Sequence, residues 1–467
     1  MTSLTFYGGV NEIGGNKILL QDKDTKIFLD FGKGFSKREK YFEEYLPPRQ
    51  ANGITDFLAM DLIPDIEGIY RDDLMEKAGR KLVTPDVDAV LLTHAHADHV
   101  DYITFLHEKI PIHMGKTCHM LLKAIQERSN SSFENQVLEF KSIHSKRGDP
   151  KIQRKIETFR SGEKFKIGSL EIHPIHVDHS IPGAYGFIIY TSEGPVVYTG
   201  DIRLHGTKPQ MTEEFVKEAK NAKPVALICE GTRITDPSTN ESEKLVYQES
   251  NKLVSNTDKL IFADFNFKDI DRVRTFYDVA KENKRKLVIK IRDCYFLKHL
   301  SKDSNLNIPN FDDENVIIYK PKYRSGTYTE SDYPGEDGFF ASLPNAKTAH
   351  EISENPSKYL CALGFFQFTS LIDMKPSSGT PYIHSASEPY NEEQILSQDR
   401  VSNWLEHFGM NRYQIHCSGH AKGEDLLQVV KVIDAKMLYP VHTEHPTEYV
   451  KVTRNMRIVE EGKQYKL

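Results

Sequence analysis

The stretch Thr93-His94-Ala95-His96-Ala97-Asp98-His99 decides the reading of this chain. Before it, Val87-Asp-Ala-Val-Leu-Leu92 is mostly apolar and β-prone, as a buried strand is. The histidines and the aspartate therefore fall where a strand gives way to a loop, on a rigid base. Imidazole nitrogens and a hard carboxylate oxygen packed this closely suit Zn²⁺ or Mn²⁺. Such a set after a buried strand rarely arises by chance, so the stretch reads as a metal site.

Working outward, other polar residues also stand at the ends of apolar strands. Upstream, Lys26-Ile-Phe-Leu-Asp30 ends in an acid, and a carboxylate leaving a buried strand needs a specific partner. Asp30 suits the orientation of a metal-bound histidine as well as it suits a loop cap. The glycine-rich segment Gly8-Gly-Val-Asn-Glu-Ile-Gly-Gly15 leads into a strand rather than a helix, which argues against a phosphate-cradling loop. Downstream, residues 169–177 alternate as a strand and lead to Asp178-His179, and 194–200 end at Asp201. His173 and His176 lie on the strand itself and read as structural. Residues 225–229 end at Glu230, and 436–441 end at His442. Tyr413-Gln-Ile-His416-Cys-Ser418-Gly419-His420 leads into a helix at 424–433.

The rest of the chain sets the frame. Residues 33–86 are charged, carry Pro47-Pro48, and read as a helical surface insertion. Segments 102–108 and 116–128 are helix candidates, and 141–155 reads as an exposed loop. From about 240 to 410 the pattern changes: helices at 241–254 and 269–283 alternate with strands at 260–264 and 286–291. That alternation predicts βαβ units and a small parallel sheet. The same region holds a basic run, Lys281, Lys284, Arg285, Lys286, Lys290 and Arg292, then Lys298 and Lys302, with Tyr295 and Phe296 nearby. It reads either as a solvated surface or as a patch facing nucleic acid.

At 467 residues the chain has room for two or three domains. A formal net charge of −6 argues against a generic nucleic-acid binder, so a nucleic-acid substrate would need a local basic groove and the metals. Five scattered cysteines with no CxxC pair predict reduced thiols and a cytoplasmic protein. No secretory leader and no apolar run of membrane-spanning length is expected.

Collected in order, Asp30, the His94/His96/Asp98/His99 cluster, His179, Asp201, Glu230, His420 and His442 resemble the metallo-β-lactamase superfamily. More narrowly they resemble its β-CASP branch of nucleic-acid-processing nucleases, and most of all RNase J and the archaeal RNase J-like exoribonucleases. Gly-Gly-Val-Asn-Glu-Ile-Gly-Gly-Asn near the start, Val-Asp-His-Ser-Ile-Pro at 177–182 and the helix start Phe-Lys-Asp-Ile-Asp-Arg272 carry the likeness. So do His-Cys-Ser-Gly-His at 416–420 and Pro-Val-His at 440–442. Ser387-Glu-Pro and Asn403-Trp-Leu-Glu-His-Phe-Gly409 are similar to the archaeal members. The sequence departs from the bacterial pattern at Ala95, Ala97 and Asp101, and Glu230 stands where RNase J usually has aspartate. In that last respect it is similar to the cleavage-and-polyadenylation endonuclease.

The resemblance implies an α/β fold, an αββα metallo-β-lactamase sandwich interrupted by an inserted α/β β-CASP domain. The first part would be 1–235 with its insertion at 33–86, the β-CASP domain 236–410, and the C-terminal part of the sandwich 411–467. The active site would lie in the cleft between domains. His94, His96, His179 and Asp201 would bind one divalent ion, and Asp98, His99, His442 and the shared Asp201 a second, zinc in the first instance with manganese as the alternative. Such a pair activates a water for in-line attack on phosphorus and offsets charge on the oxygens. Asp98 would count as catalytic together with Glu230 and His420, His420 donating a proton to the leaving group and Glu230 fixing its tautomer. His416, Ser418 and Gly419 would hold a substrate phosphate. The expected activity is a 5′-to-3′ exoribonuclease with endonuclease activity beside it, acting on single-stranded RNA with a 5′-monophosphate, away from membranes, as a monomer or homodimer. Two other readings stay open: a metallo-hydrolase acting on DNA or on small esters, lactones or β-lactams, and a non-catalytic RNA-binding scaffold.

Overall fold

The computed structural model describes all residues except 44, 129–133, 135, 147, 238, 239 and 388–391. Glu388 and Pro389, two residues of the archaeal-like motif, lie outside the described residues. The chain divides into two compact units: Met1–Leu204, Lys208–Thr239 and Gly419–Leu467 form the first, His205–Thr207 and Asn240–Ser418 the second.

The first unit is an αββα sandwich built on period-two alternation. One seven-stranded sheet runs in the order Gln464–Lys466, Thr2–Phe6, Lys17–Asp22, Thr25–Phe31, Ala89–Leu92, Ile112–Gly115, Ile156–Phe159. The other has six strands, Leu438–Pro440, Ala226–Cys229, Gly194–Tyr198, Tyr185–Thr191, Leu170–His176, Phe165–Ile167. Their inner faces share one core, in which Leu4, Ile27, Leu29 and Leu91 meet Ile172, Phe187, Ile189 and Val196. The next residue along each strand turns the other way. Ile188, Val197 and Leu227 therefore form a separate core with Phe215 and Ala219 of the helix Pro209–Ala222 and with Leu426, Val429 and Val430 of the helix Gly423–Ile433. Burying each such large aliphatic side chain is worth roughly 1.5–3 kcal/mol.

The segment 33–86 is not a surface insertion. Ile54, Phe57, Tyr70 and Leu74 are buried, Phe57 packs on Phe105 with ring centroids 4.7 Å apart, and Tyr70 meets Phe31 at 6.5 Å. These residues form part of the layer outside the first sheet. Its many charges misled the reading because they sit on very short helices, where no amphipathic period can show. The helix at Lys116–Arg128 is as expected, whereas 102–108 holds only a 3₁₀ turn, Asp101–Phe105. The loop at 141–155 closes on a two-stranded pair, Glu139–Phe140 with Ile152–Gln153, and buries Arg154, which donates to the carbonyls of Leu106 and Thr104.

The second unit is an all-parallel seven-stranded sheet in the order Ala346–Lys347, Val316–Tyr319, Lys286–Lys290, Tyr359–Cys361, Ile261–Asp264, Pro381–His384, Asn411–Gln414. Helices Glu243–Ser255 and Ile270–Glu282 start on Ser242 and Asp269, each side chain capping a backbone N–H. The expected start of the C-terminal segment at 411 is corrected here. Asn411–Gln414 adds the edge strand of this sheet, so the return to the first unit comes at Gly419.

The basic run also divides. Arg285 is buried and donates to the carbonyls of Lys259, Thr257, Pro356 and Tyr359, tying loops together rather than facing a ligand. Lys298 pairs with Glu336 at 2.6 Å, and Tyr295 and Phe296 lie in the core. Among the described residues, no helix is long and apolar enough to cross a membrane, and all five cysteines are buried free thiols.

Candidate metal centre

The strand Ala89–Leu92 ends at Thr93, and the chain turns through His94 to a short helix, Ala97–Val100, that presents Asp98 and His99. The turn is held from outside by backbone contacts. Asn16 donates its N–H to the carbonyl of Asp98 at 3.1 Å, and Lys33 donates to Ala97 at 3.1 Å. Gly32 passes so close that a Cβ would lie 1.7 Å from the Asp98 carbonyl oxygen, so no larger residue fits.

Seven side chains converge, all of them in the first unit. His94, His96, His179 and Asp201 form one group, Asp98, His99, Asp201 and His442 a second, and within each the donor atoms lie within 4.8 Å of one another. Asp201 belongs to both. His96 Nδ1 is 3.1 Å from His94 Nε2 and 3.0 Å from His179 Nε2, spacings that protonated rings would not tolerate. His99 Nε2 lies 3.2 Å from Asp201 Oδ2, and His442 Nε2 lies 3.1 Å from Asp98 Oδ2.

The far nitrogens of four of these rings are taken. His94 Nδ1 meets Thr93 Oγ1 at 2.9 Å, His99 Nδ1 meets Asp30 at 2.7 Å, His179 Nδ1 donates to the Gly419 carbonyl at 2.6 Å, and His442 Nδ1 meets Thr232 Oγ1 at 2.8 Å. Partners on the outer nitrogen set ring orientation and tautomer. Asp30, wholly buried at φ +56°, also accepts the Thr93 N–H at 2.7 Å and hydroxyl at 2.8 Å and the Tyr198 hydroxyl at 2.8 Å. Thr93, Tyr198 and Thr232 were missed from sequence. Only the position of Thr93 beside His94 signalled a role; the others lie far off in the chain.

Burial pushes the His94 and His179 imidazoles well down, reinforced by the neighbouring rings. Burial would raise the Asp201 carboxyl, but His442 and His99 hold it well below the carboxylate range. His94 and His179 are thus neutral imidazoles beside an ionised carboxylate, whereas, although burial opposes their charge, Asp201 pushes His99 and His442 up. His99 Nε2 and Asp201 Oδ1 are buried without a hydrogen-bond partner. Buried polar atoms are rarely left so, and inward-facing nitrogens and carboxylate oxygens fit two divalent cations.

Glu230 and His420 stand beside this group. His420 Nδ1 lies 3.0 and 3.2 Å from the two Glu230 oxygens, and Glu230 also accepts from the Ile202 N–H at 2.7 Å and the Thr232 hydroxyl at 2.7 Å. Although burial opposes its charge, Glu230 and then Asp201 push the His420 pKa up to about 9. Its side chain is 21% exposed, so it keeps an opening to solvent.

The expected phosphate ligands part company. Gly419 orients His179, and a Cβ there would meet Ser180 Oγ at 2.4 Å. His416 and Ser418 fall in the second unit, where His416 Nδ1 lies 3.2 Å from Arg272 Nη1 and the Ser418 carbonyl accepts from His205 Nε2 at 2.9 Å.

Comparison with known proteins agrees with this geometry. A family model described as a β-lactamase superfamily domain matches residues 64–237. The chain is 23% identical over 469 residues to the ribonuclease J of Mycoplasma genitalium, covering 95% of this chain and 68% of that one. It is 25% identical over 455 residues to ribonuclease J2 of Bacillus subtilis, covering 94% and 68%. A solved structure of a protein of unknown function from Enterococcus faecalis superposes with a TM-score of 0.75 at 23% identity, covering 100% of both chains, and so has the same fold. Residues 64–237 thus carry a metallo-β-lactamase superfamily domain, and over 95% of its length the chain is similar to a ribonuclease J, an enzyme of the β-CASP branch.

Proposed function

We propose that this protein is a metal-dependent ribonuclease that hydrolyses RNA phosphodiester bonds, working from the 5′-monophosphate end of single strands with endonucleolytic cleavage beside it. The observation that carries this reading is the pair of donor groups sharing Asp201, in a chain related to ribonucleases J over 95% of its length. His94, His96, His179 and Asp201 would hold one ion, and Asp98, His99, His442 and Asp201 the other. The imidazole-rich set favours zinc over manganese. When bound, two such ions supply a deprotonated water and offset charge on the phosphoryl oxygens.

The chain's own residues do the remainder. Asp30, Thr93, Thr232 and the Gly419 carbonyl keep the rings in register, so little reorganisation is needed during reaction. His420 carries a proton at neutral pH because Glu230 faces it, and its exposed edge can deliver that proton to the departing oxygen. Gly419 sets both its neighbour His420 and the Nδ1 bond of His179.

The test is end-labelled RNA and DNA, each with 5′-monophosphate, triphosphate or hydroxyl, incubated with Zn²⁺ or Mn²⁺ and followed on a gel. Progressive shortening of 5′-monophosphate RNA is expected. Cleavage of DNA alone, or of no nucleic acid, would overturn the proposal.

A further inference from the structure

The parallel sheet of the second unit carries a depression of ≈ 280 Å³ at the carboxyl ends of its strands. Its walls come from the end of Lys286–Lys290, from the segment just after Val316–Tyr319, and from the turn Phe365–Gln367 that follows Tyr359–Cys361. In open parallel sheets ligands settle outside the carboxyl ends of strands, where the strand order reverses. The order reverses at this place. The chain steps outward from Ile261–Asp264 to Lys286–Lys290, Val316–Tyr319 and Ala346–Lys347. It then comes back to insert Tyr359–Cys361 between Lys286–Lys290 and Ile261–Asp264, and continues on the opposite side.

The lining combines aromatic rings with cations. Phe366 is 88% exposed and Tyr323 45%, and both face this one depression. A single exposed apolar residue means little, but this one stands on a fixed platform. Phe365 beside it lies 5.6 Å away centroid to centroid and packs on the buried Phe368 at 5.7 Å. Gly364 runs against the end of the strand Ile261–Asp264, where a Cβ would come within 1.9 Å of Asp264 Oδ1. Around the rings stand Lys290, Arg292 and Lys322, faced by one lining acid, Asp373. Lys322 pairs with Asp373 at 2.5 Å and Lys290 with Asp293 at 3.2 Å, while Arg292 is exposed and forms no ion pair among the described residues. The loop opposite Phe366 holds Arg324 at φ +40° and Tyr328 at φ +59°. Non-glycine residues are held there at a cost in conformational energy, and such residues gather at ligand sites.

An acidic peptide or a free phosphate would leave the rings unused, and an apolar ligand would leave the cations unused. A base joined to a phosphate uses both, and the space is enough for one nucleotide, lying just under the roughly 300–1,000 Å³ of drug-sized clefts. We propose that this depression binds one unpaired nucleotide of a single-stranded RNA, its base against Phe366 and Tyr323 and its phosphate beside Arg292, with Lys290 and Lys322 adding positive potential. The proposal rests on the ribonuclease reading and adds to it a contact that involves none of the metal ligands, one that makes strandedness matter, since a paired base cannot stack on a protein ring.

The test uses the full-length, metal-loaded protein and a labelled single-stranded phosphorothioate RNA decamer, which resists cleavage, read by fluorescence anisotropy. Phe366→Ala should weaken binding about 5- to 150-fold, the range for losing one stacked base. Phe366→Trp should restore it, with indole fluorescence quenched on titration. Arg292→Ala should weaken binding and lower the slope of log affinity against log salt by about one. Because both side chains are exposed, neither change threatens the fold. If both alanine variants bind the decamer as the wild type does, while the wild type cleaves RNA, the subsite is overturned and the ribonuclease reading stands. If the wild type neither binds nor cleaves RNA, both fall. Sensitivity of 5′-AMP binding to Phe366→Ala, with the decamer unaffected, would make this a free-nucleotide pocket and overturn the assignment to a strand.

Discussion

Replacing His420 by alanine removes an imidazole set against Glu230 while leaving in place every member of the two donor groups that share Asp201, His442 among them. General acid catalysis is worth about 10²–10⁴-fold, and turnover of RNA should fall on that scale with the metal content unchanged. Glu230→Gln should lose less, because it disturbs the orientation and charge of the acid rather than removing it. A nitrophenyl phosphodiester, whose leaving group departs without a proton, should show a much smaller deficit in the His420→Ala protein. Equal deficits with metals intact would make His420 a phosphate-binding residue instead. Asp30 gives the complementary case, since it touches no substrate. Asp30→Asn puts an amide where His99, Thr93 and Tyr198 all find an acceptor, and chelator competition should show metal affinity down about 10- to 100-fold. Unchanged affinity would return Asp30 to the role of a loop cap.

At the scale of elements, the turn after Ala89–Leu92 works because neighbouring backbone presses on it. Gly32→Ala inserts a Cβ 1.7 Å from the Asp98 carbonyl oxygen, so either the strand end or the short helix must move. Overpacking of this kind costs typically about 1–3 kcal/mol, and here the displaced group carries Asp98 and His99. The variant should lose thermal stability and metal together, and retention of both would show that the turn is not held by this approach. In the second unit, Arg285 ties together four carbonyls from two segments, 257–259 and 356–359. Arg285→Ala leaves these acceptors short of a donor, at about 1–3 kcal/mol for the buried Tyr359 carbonyl. Denaturation should move to lower temperature while the salt dependence of RNA binding stays as it was. A flattened salt slope with unchanged stability would instead place Arg285 among the residues facing nucleic acid.

For the whole molecule, pH offers a readout away from the metal ligands. Burial, with the Arg272 guanidinium adding to it, pushes the His416 pKa down to about 4. The folded state therefore binds fewer protons at this site than the unfolded chain, whose histidine titrates near 6.5. Its contribution is complete above about 6.5 and is lost as pH falls toward 4. The thermal midpoint should drop across that window, and His416→Gln should flatten the drop. An acid limb of the same depth in the variant would show that the loss comes from other groups.

Read alone, the sequence was enough to single out the seven residues that the fold gathers into two donor groups. Several of them follow buried strands, and strands declare themselves through local apolar runs: His94 after Ala89–Leu92, Asp201 after Gly194–Tyr198, His442 after Leu438–Pro440, with Glu230 beside the group after Ala226–Cys229. The parallel sheet of the second unit was legible for the same reason, since strand and helix alternate with clear periods. What stayed hidden depends on partners distant in the chain. Thr232 reaches His442 across 210 residues, and Tyr198 reaches Asp30 across 168. Nothing local marks a threonine or tyrosine for such a role. The segment 33–86 looked solvated because its helices are too short to show an apolar face, and only packing on Phe31 and Phe105 made Tyr70 and Phe57 interior. In the basic run, charge was visible but burial was not. Arg285 and Arg292 look alike in sequence, and only the tertiary structure turns the first guanidinium onto carbonyls and the second to solvent, because which face of an element is covered is decided by what packs against it.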